Sequence, residues 1–279
     1  INQPIHGDRY SGAVDVELSS FNFMNPDSAR SMFRQAVADN LSLLRFVSSE
    51  LSFDAGSHFF FADPSKIGFF GHSQGGLVGA MFAPFANTCK TLVLSASGGI
   101  FSYTLMLRKH LDNGTELDLE ALLGSMMKVS EAGELSVFHP VVSLMQHCSD
   151  VTDPIHYLRH VLNDRYSPLP ASVLLVNGID DPYTPVETGD ALAVSAGLPK
   201  TAKQNSSADL FALAGLSDQS YPVSANLTSQ DGLKATGLIA HYDGWGHFPA
   251  LSSLAAIEQW KHFLSTGVHG TLPTIEGSN

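Results

Sequence analysis

The sequence predicts an α/β fold in which helices cover both faces of a doubly wound, mostly parallel sheet. Short apolar runs of strand length occur at residues 67–70, 91–96, 172–177 and 235–241. Segments with helical spacing of apolar residues separate these runs, and this alternation favours right-handed crossovers between parallel strands. The chain has 279 residues, of which 44% are hydrophobic, so it is long enough to bury such a core.

Composition and charge exclude several classes of function. The chain carries 27 acidic and 15 basic residues, a net charge of −12, and no basic cluster that would neutralise nucleic-acid phosphates. No apolar run reaches the length of a membrane span. Cys89 and Cys148 lie in neither a CxxC nor a metal-binding spacing, which leaves one disulfide and two free thiols as alternatives.

The first strong helix signal follows a strand stub and polar loop predicted for residues 1–24. Asn25 suits the cap position and Pro26 the first helical position. Apolar residues then recur at helical spacing to about residue 51, with charged residues on the opposite face. We therefore expect an amphipathic helix that covers the core and carries no chemistry.

The segment at residues 67–76 reads as a strand, then Gly-x-Ser-x-Gly, then the start of a helix. A serine in such a turn, here Ser73, exposes its hydroxyl at the edge of the sheet. We expect Gly71 and Gly75 to relieve the crowding of the turn, and the backbone N–H of Gln74 to stabilise an oxyanion at the helix N-terminus. An ordinary Gly/Ser turn is the alternative interpretation.

Residues 101–167 interrupt the alternation with helical patterns at 102–110, 117–129 and 154–162 and no strand signal. This insertion fits either a lid over a cleft or a helical flank without a gating role. The predicted organisation is then a core of residues 1–100 and 168–264, the insertion, and a flexible tail at 265–279. Six apolar residues of the insertion fit either an acyl pocket or ordinary core packing: Leu105, Leu107, Leu122, Leu123, Met126 and Met127.

A serine nucleophile needs a base, and the base needs an acid that fixes its tautomer. Such groups gather beyond the carboxyl ends of parallel strands. Asp180 and Asp181 follow the strand at 172–177, and His247 follows the strand at 235–241. Asp181 is otherwise a plain turn residue, and His241 is the rival base.

Two further histidines, His156 and His160, stand four residues apart on a predicted helix, the spacing of a metal pair. No third ligand accompanies them, so we assign no metal site.

Three separated motifs resemble the α/β-hydrolase superfamily of esterases and lipases. Residues 71–75 resemble its nucleophile elbow, residues 178–185 its acid loop, and residues 244–248 its histidine loop. The elbow sequence Gly-His-Ser-Gln-Gly-Gly is also similar to that of a group of bacterial hydrolases. In the family the acid stands three residues after the glycine, which selects Asp181 over Asp180.

The resemblance implies a triad of Ser73, Asp181 and His247 that hydrolyses a small carboxylic ester through an acyl-enzyme, without metal or organic cofactor. Two alternatives stay open. One is a catalytically silent fold that binds a ligand or partner, and the other is a peptidase or other acyl hydrolase with the same triad. The cellular location is left open, with a periplasmic, secreted or lipoprotein form among the options.

Residues 1–9 resemble the end of the family's fourth strand and the loop after it. This implies that three strands, and the loop that supplies the second oxyanion donor, belong to a segment missing from this chain. Loss of one such donor typically costs about a hundredfold to a thousandfold in rate. The strand at residues 67–70 would then form an unpaired edge of the sheet.

Overall fold

A computed structural model describes residues 2–10, 12, 16–22, 25–49, 51–54, 56, 58–110, 116, 121, 124–125, 135–201, 209–270 and 272–277. In these residues the strands are β1 (Ser52–Asp54), β2 (Phe59–Phe61), β3 (Ile67–His72), β4 (Cys89–Ser95), β5 (Ser172–Gly178), β6 (Val223–Ser224), β7 (Leu227–Thr228), β8 (Lys234–Ala235), β9 (Gly237–Tyr242) and β10 (Thr274–Ile275). The α-helices are α1 (Val16–Ser20), α2 (Pro26–Ser48), α3 (Gln74–Phe82), α4 (Phe101–Leu107), α5 (Pro140–Ser149), α6 (Val186–Ser195), α7 (Leu210–Leu213), α8 (Pro249–Ser252) and α9 (Leu254–Val268).

The central sheet has four strands in the order β3-β4-β5-β9, and every neighbouring pair is parallel. Alternate residues of each strand point to opposite faces, so Leu94 and Leu175 belong to one buried cluster while Val93 and Leu174 belong to another. Helices α2, α3 and α6 cover the first face, and α9 covers the second. Burial on both faces explains why β4 and β5 read as continuous apolar runs. This arrangement confirms the predicted doubly wound α/β class with its mostly parallel sheet.

Helix α2 begins as its sequence predicts. The Asn25 side chain accepts a hydrogen bond from the Ser28 N–H, and Pro26 occupies the first helical position. Its buried face includes Met32 and Phe33, which pack toward the sheet. The helix ends at Ser48, and β1 and β2 follow as an antiparallel pair.

The insertion at residues 101–167 differs from its predicted helices. Helix α4 matches the predicted helix at 102–110, although it ends at Leu107. Most of the predicted helix at 117–129 falls outside the described residues. The third is a pair of short 3-10 helices, Pro154–His156 and Leu158–Val161, with Asp153 capping the first through its side chain. Helix α5 was missed, although His139 and Pro140 form the same cap-and-proline signal at its start.

The segment after residue 264 packs against the domain where the sequence predicts a flexible tail. Helix α9 extends to Val268, and β10 pairs antiparallel with β6. Ile275 is fully buried, and the Gln259 side chain donates a hydrogen bond to the carbonyl of Glu276. Two-residue strands leave no periodic signal, so the sequence could not reveal this pairing.

The predicted strand stub near the N-terminus is wrong for the described residues, because residues 2–10 form turns and the 3-10 helix Gly7–Arg9. Within the described residues β3 pairs with β4 alone and forms an edge of the sheet, as expected. Cys89 and Cys148 are both free thiols, and burial raises the pKa of the Cys89 thiol to about 12. None of the helices described is both long and apolar enough to cross a membrane.

Candidate active site

Ser73 occupies a one-residue turn between the last residue of β3 and the first residue of α3. Its backbone has φ 54° and ψ −121°, a conformation that L-residues with a side chain rarely adopt. The Ser73 N–H donates to the carbonyl of Ser95 on the neighbouring strand at 2.9 Å, which ties the turn to the sheet. The strand, the tight turn at Ser73 and the helix that begins at Gln74 follow one another as the sequence predicts.

Of the two glycines that the motif predicts to relieve crowding in the elbow, Gly71 does so and Gly75 does not. A Cβ added at Gly71 would collide with the carbonyl of Gly75, so this glycine is required. A Cβ at Gly75 would meet nothing within 4 Å. The second crowded position is Gly76, where a Cβ would lie 2.9 Å from the Ser95 carbonyl oxygen and 2.9 Å from the Ser97 Cβ. The reason is that Gly76 faces strand β4, whereas Gly75 faces open space.

Asp181 lies in the loop after β5, and its side chain is fully buried. One carboxylate oxygen accepts hydrogen bonds from the N–H groups of Tyr183 at 2.8 Å and Thr184 at 2.9 Å. The other oxygen lies 2.7 Å from Nδ1 of His247. Asp181 is therefore both a turn residue and the partner of a histidine, so the two interpretations of this position are compatible.

The histidine loop after β9 is fastened to the acid loop at two points. The carboxylate of Asp180 accepts a hydrogen bond from the Gly246 N–H at 3.1 Å. A Cβ added at Gly178 would overlap the carbonyl of Gly246, so only glycine allows this approach. Together these contacts place His247, which is 5% exposed, beside Asp181. The hydrogen bond between Asp180 and the histidine loop is a contact that sequence spacing alone did not reveal.

Ser73 and the Asp181–His247 pair lie at the same edge of the sheet, because they follow the carboxyl ends of β3, β5 and β9. Ser73 borders a cavity of about 40 Å³ together with Tyr183 and Thr184, and the Tyr183 ring lies 4.9 Å from that of His247 between centroids. Within the described residues no hydrogen bond joins the Ser73 hydroxyl to His247. Such bonds are often long in free enzymes and tighten when substrate binds.

Gln74 lies where the sequence predicts the first oxyanion donor. It is the first residue of α3, and it borders the same cavity as Ser73. The described residues offer its backbone N–H no protein acceptor, since the first N–H groups of a helix have no partner within the helix. Its side chain is directed elsewhere, toward the sulfur of Met32 at 3.5 Å. A substrate oxygen is therefore a suitable acceptor for this N–H.

For the described apolar residues of the insertion, the structure favours ordinary packing over an acyl pocket, which were the two alternatives. Leu105 packs in a small cluster with Met106 and Val142, and neither it nor Leu107 borders the cavity beside Ser73. The other four candidates, Leu122, Leu123, Met126 and Met127, lie outside the described residues.

His72 is a partly buried neighbour of the site. Its Nδ1 lies 3.1 Å from the Ser95 hydroxyl, and its Nε2 is buried without a protein partner. The two ring centroids of His72 and His247 are 5.0 Å apart. Burial, reinforced by the nearby His247 and opposed by Asp181, lowers the pKa of His72 from 6.5 to about 4. The ring is thus neutral near pH 7.

We expect His72→Phe to weaken the acid sensitivity of the fold. The unfolded chain binds a proton at this ring below pH 6.5, whereas the folded protein binds it only near pH 4. Stability is therefore lost as the pH falls from 6.5 toward 4. The expected loss in the free energy of unfolding is about 1–2 kcal/mol, a value reduced to allow for the partial exposure of the ring.

Urea unfolding of both proteins at pH 7 and pH 4 measures this effect. The wild type should lose about 1–2 kcal/mol more than the variant between the two pH values. Equal losses would contradict a neutral, buried His72.

The other histidines considered as bases or ligands have their own partners. His241 Nε2 lies 2.7 Å from the carboxylate of Asp190 on α6, so it is paired with a different acid. His156 lies 3.3 Å from the Asp150 carboxylate, and His160 faces a backbone carbonyl at 3.1 Å. In the part of the chain that the structure describes, no group of three or more His, Cys, Asp or Glu side chains could hold a metal.

Comparison with known proteins gives no family assignment. No protein-family model matches the chain, and no curated protein sequence matches it either. Solved structures are similar to it at low identity. A puromycin-hydrolyzing peptidase of Mycobacterium tuberculosis is 13% identical over 75% of this chain and 23% of its own, with a TM-score of 0.38.

An esterase and a lipase are comparable matches. Acetyl xylan esterase 1 from Thermoanaerobacterium sp. is 13% identical, over 82% of this chain and 52% of its own, with a TM-score of 0.43. A monoacylglycerol lipase from Paleococcus ferrophilus is 13% identical, over 86% of this chain and 76% of its own, with a TM-score of 0.40. The chain thus spans about a quarter of the peptidase and about half of the xylan esterase. Likenesses this weak decide neither the activity nor the substrate, which have to be inferred from the site.

Proposed function

We propose that this protein is a serine hydrolase that cleaves carboxylic esters. The observation that carries the proposal is the buried hydrogen bond of 2.7 Å between Asp181 and His247, at the same sheet edge as Ser73 in its strained elbow. A buried aspartate on Nδ1 fixes the tautomer that leaves Nε2 free to accept a proton, and it stabilises the imidazolium that forms.

In the proposed reaction the Ser73 oxygen attacks the acyl carbon, and His247 accepts the serine proton. The Gln74 N–H stabilises the oxyanion at the helix N-terminus. His247 then gives the proton to the departing alcohol, and water releases the acid from the acyl-enzyme by the same steps. The residues named supply every group that these steps need, so we propose no metal or organic cofactor.

Esters rather than amides are the proposed substrates for a physical reason. Gln74 is the one oxyanion donor that the described residues identify. A site with limited oxyanion stabilisation can still cleave an ester, because the acyl group of an ester is more reactive than that of an amide. The His6 N–H, which borders the same cavity, already donates to the carbonyl of Gln3 at 3.1 Å. A second oxyanion donor stays a prediction. A role of the insertion at residues 101–167 as a lid also stays a proposal, as do the limits of the core at residues 1–100 and 168–264.

Ser73→Ala tests the proposal with p-nitrophenyl acetate as substrate and a fluorophosphonate as covalent probe. Loss of the nucleophile should lower kcat by about 10⁴-fold or more and abolish labelling. Ser65→Ala is the matched control, because Ser65 lies on the same segment in an exposed turn and bonds to Asp63 instead. Equal hydrolysis by wild type and Ser73→Ala would refute the proposal, and a wild type that the probe does not label would favour the catalytically silent binding fold.

A further inference from the structure

The histidine loop carries an exposed apolar surface beside the proposed base. Trp245, Phe248 and Leu251 are between 44% and 50% exposed. The Phe248 N–H donates to the carbonyl of Trp245 and the Leu251 N–H to the carbonyl of Phe248, both at 3.1 Å. Turns closed in this way keep their first and last Cα atoms within about 7 Å, so the three side chains form one surface. We call these three residues the apolar ridge.

Phe248 joins the apolar ridge to the proposed catalytic groups. Its ring lies edge to face against the ring of His247, with 5.1 Å between centroids, and 5.5 Å from the ring of His72. A group that His247 protonates must come within about 3 Å of its free ring nitrogen. A carbon chain attached to that group is then within reach of Phe248.

The apolar ridge is neutral as well as exposed. Residues 244–254 contain no Asp, Glu, Lys or Arg, although the chain as a whole has a net charge of −12. When a neutral hydrocarbon group covers such a surface, both lose their contact with water, and this stabilises the bound state. The chemistry of the ridge therefore favours an uncharged, apolar ligand.

The cavity beside Ser73 offers a different environment. Its described lining includes the polar side chains of Gln74, Thr104 and Thr184, and it includes no residue of the apolar ridge. Its volume of about 40 Å³ suits a short acyl group. A long acyl chain would cover the polar side chains without bonding to them, which is unfavourable. The cavity and the ridge thus suit the two parts of an ester differently.

We propose that the apolar ridge binds the alcohol part of the substrate, so that the enzyme selects short-acyl esters of apolar alcohols. The proposal rests on the serine-hydrolase function above. The acyl carbon must lie at Ser73 and its oxygen at the Gln74 N–H, and both residues border the cavity. The alcohol oxygen must lie at His247, which gives it a proton as it leaves. The hydrocarbon chain on that oxygen then extends over Phe248 and the rest of the ridge.

The apolar ridge acts on the first half of the reaction. Ser73 Oγ bonds to the acyl carbon while His247 takes the serine proton. The bond from that carbon to the alcohol oxygen breaks, and His247 passes the proton to this oxygen. Water then gives a proton to His247 and adds to the acyl carbon, and Ser73 leaves with that proton. Because apolar contact holds substrate and transition state alike, the ridge should lower KM and leave kcat largely unchanged.

Hexyl acetate and ethyl hexanoate provide the test, because they are isomers that carry their longer chain on opposite sides of the ester group. Their kcat and KM values are measured in a pH-stat below the solubility limit of each ester. The wild type should hydrolyse hexyl acetate with a kcat/KM about tenfold higher, mainly through a lower KM. Phe248→Ser and Leu251→Ser should each lower this ratio by about threefold or more.

Leu169→Ser is the matched control. Leu169 is 53% exposed, but it precedes β5, whereas the site follows the carboxyl ends of the strands. Its ratio should equal that of the wild type, and circular dichroism shows which variants are folded. An equal or reversed preference in the wild type, or an unchanged ratio in the folded ridge variants, would overturn the role of the ridge and leave the serine hydrolase standing.

Two further measurements separate this proposal from others. A preference for hexyl acetate that appears only above its solubility limit, where droplets form, would overturn alcohol binding and indicate that the ridge docks on a lipid surface. Equal hydrolysis by wild type and Ser73→Ala, or no hydrolysis of either isomer by the wild type, would refute the ester-hydrolase function on which the proposal rests.

Discussion

Asp181→Asn is expected to lower kcat for ester hydrolysis by about 10⁴-fold while the protein stays folded. The amide oxygen of Asn can still accept the hydrogen bonds that the N–H groups of Tyr183 and Thr184 now give to Asp181. The amide nitrogen, however, would face Nδ1 of His247 as a donor. The imidazole must then carry its proton on Nε2, where it cannot accept one from Ser73.

Asp180→Asn is the control for this substitution. The two residues are adjacent and both are aspartates, but Asp180 accepts a hydrogen bond from the Gly246 N–H, which an Asn oxygen can also accept. We expect its kcat to stay within about threefold of the wild type, since the bond that positions the histidine loop is kept. The measurement is steady-state hydrolysis of p-nitrophenyl acetate with thermal unfolding of each variant. A folded Asp181→Asn that retains a tenth of wild-type kcat would show that His247 does not depend on Asp181.

The sequence predicts the central sheet well because β4, β5 and most of β9 are buried on both faces. Such strands are continuously apolar, so the runs that contain residues such as Leu92 and Leu175 can be recognised in the sequence. Asp181 and His247 were also identified from sequence, since each follows one of these strands in a motif that carries glycine. The hydrogen bond between them shows that the topology brings these two side chains together.

Features that depend on packing between distant segments were not predictable. The Thr274–Ile275 strand has its partner about fifty residues earlier, and neither segment is long enough to show a period. The contact of Asp180 with the histidine loop depends on which loop faces which, and this information appears only when the strands are placed side by side. The chain from Pro154 to Val161 forms 3-10 turns, although its apolar spacing also fits an α-helix.

The glycines of the elbow show how a motif can hide a difference in packing. Gly71 is the last-but-one residue of β3, and its missing Cβ leaves room for the carbonyl of Gly75. Phe69 lies on the same side, where its ring would be 2.8 Å from the added carbon. Gly71→Ala must therefore displace the backbone of the elbow, and we expect it to destabilise the fold by more than about 3 kcal/mol. Labelling of Ser73 by a fluorophosphonate should fall with it, because the strained turn moves.

Gly75→Ala is expected to change stability in the opposite direction. This residue lies in the first turn of α3, its φ is not in the left-handed region, and an added methyl group would meet nothing within 4 Å. Alanine is a better helix former than glycine, so the gain is up to about 1 kcal/mol. Urea unfolding at constant m-value measures both variants against the wild type. A larger loss of stability in Gly75→Ala than in Gly71→Ala would contradict the described packing of α3 against the sheet. The positions of the Ser73 hydroxyl and the Gln74 N–H would then have to be revised as well.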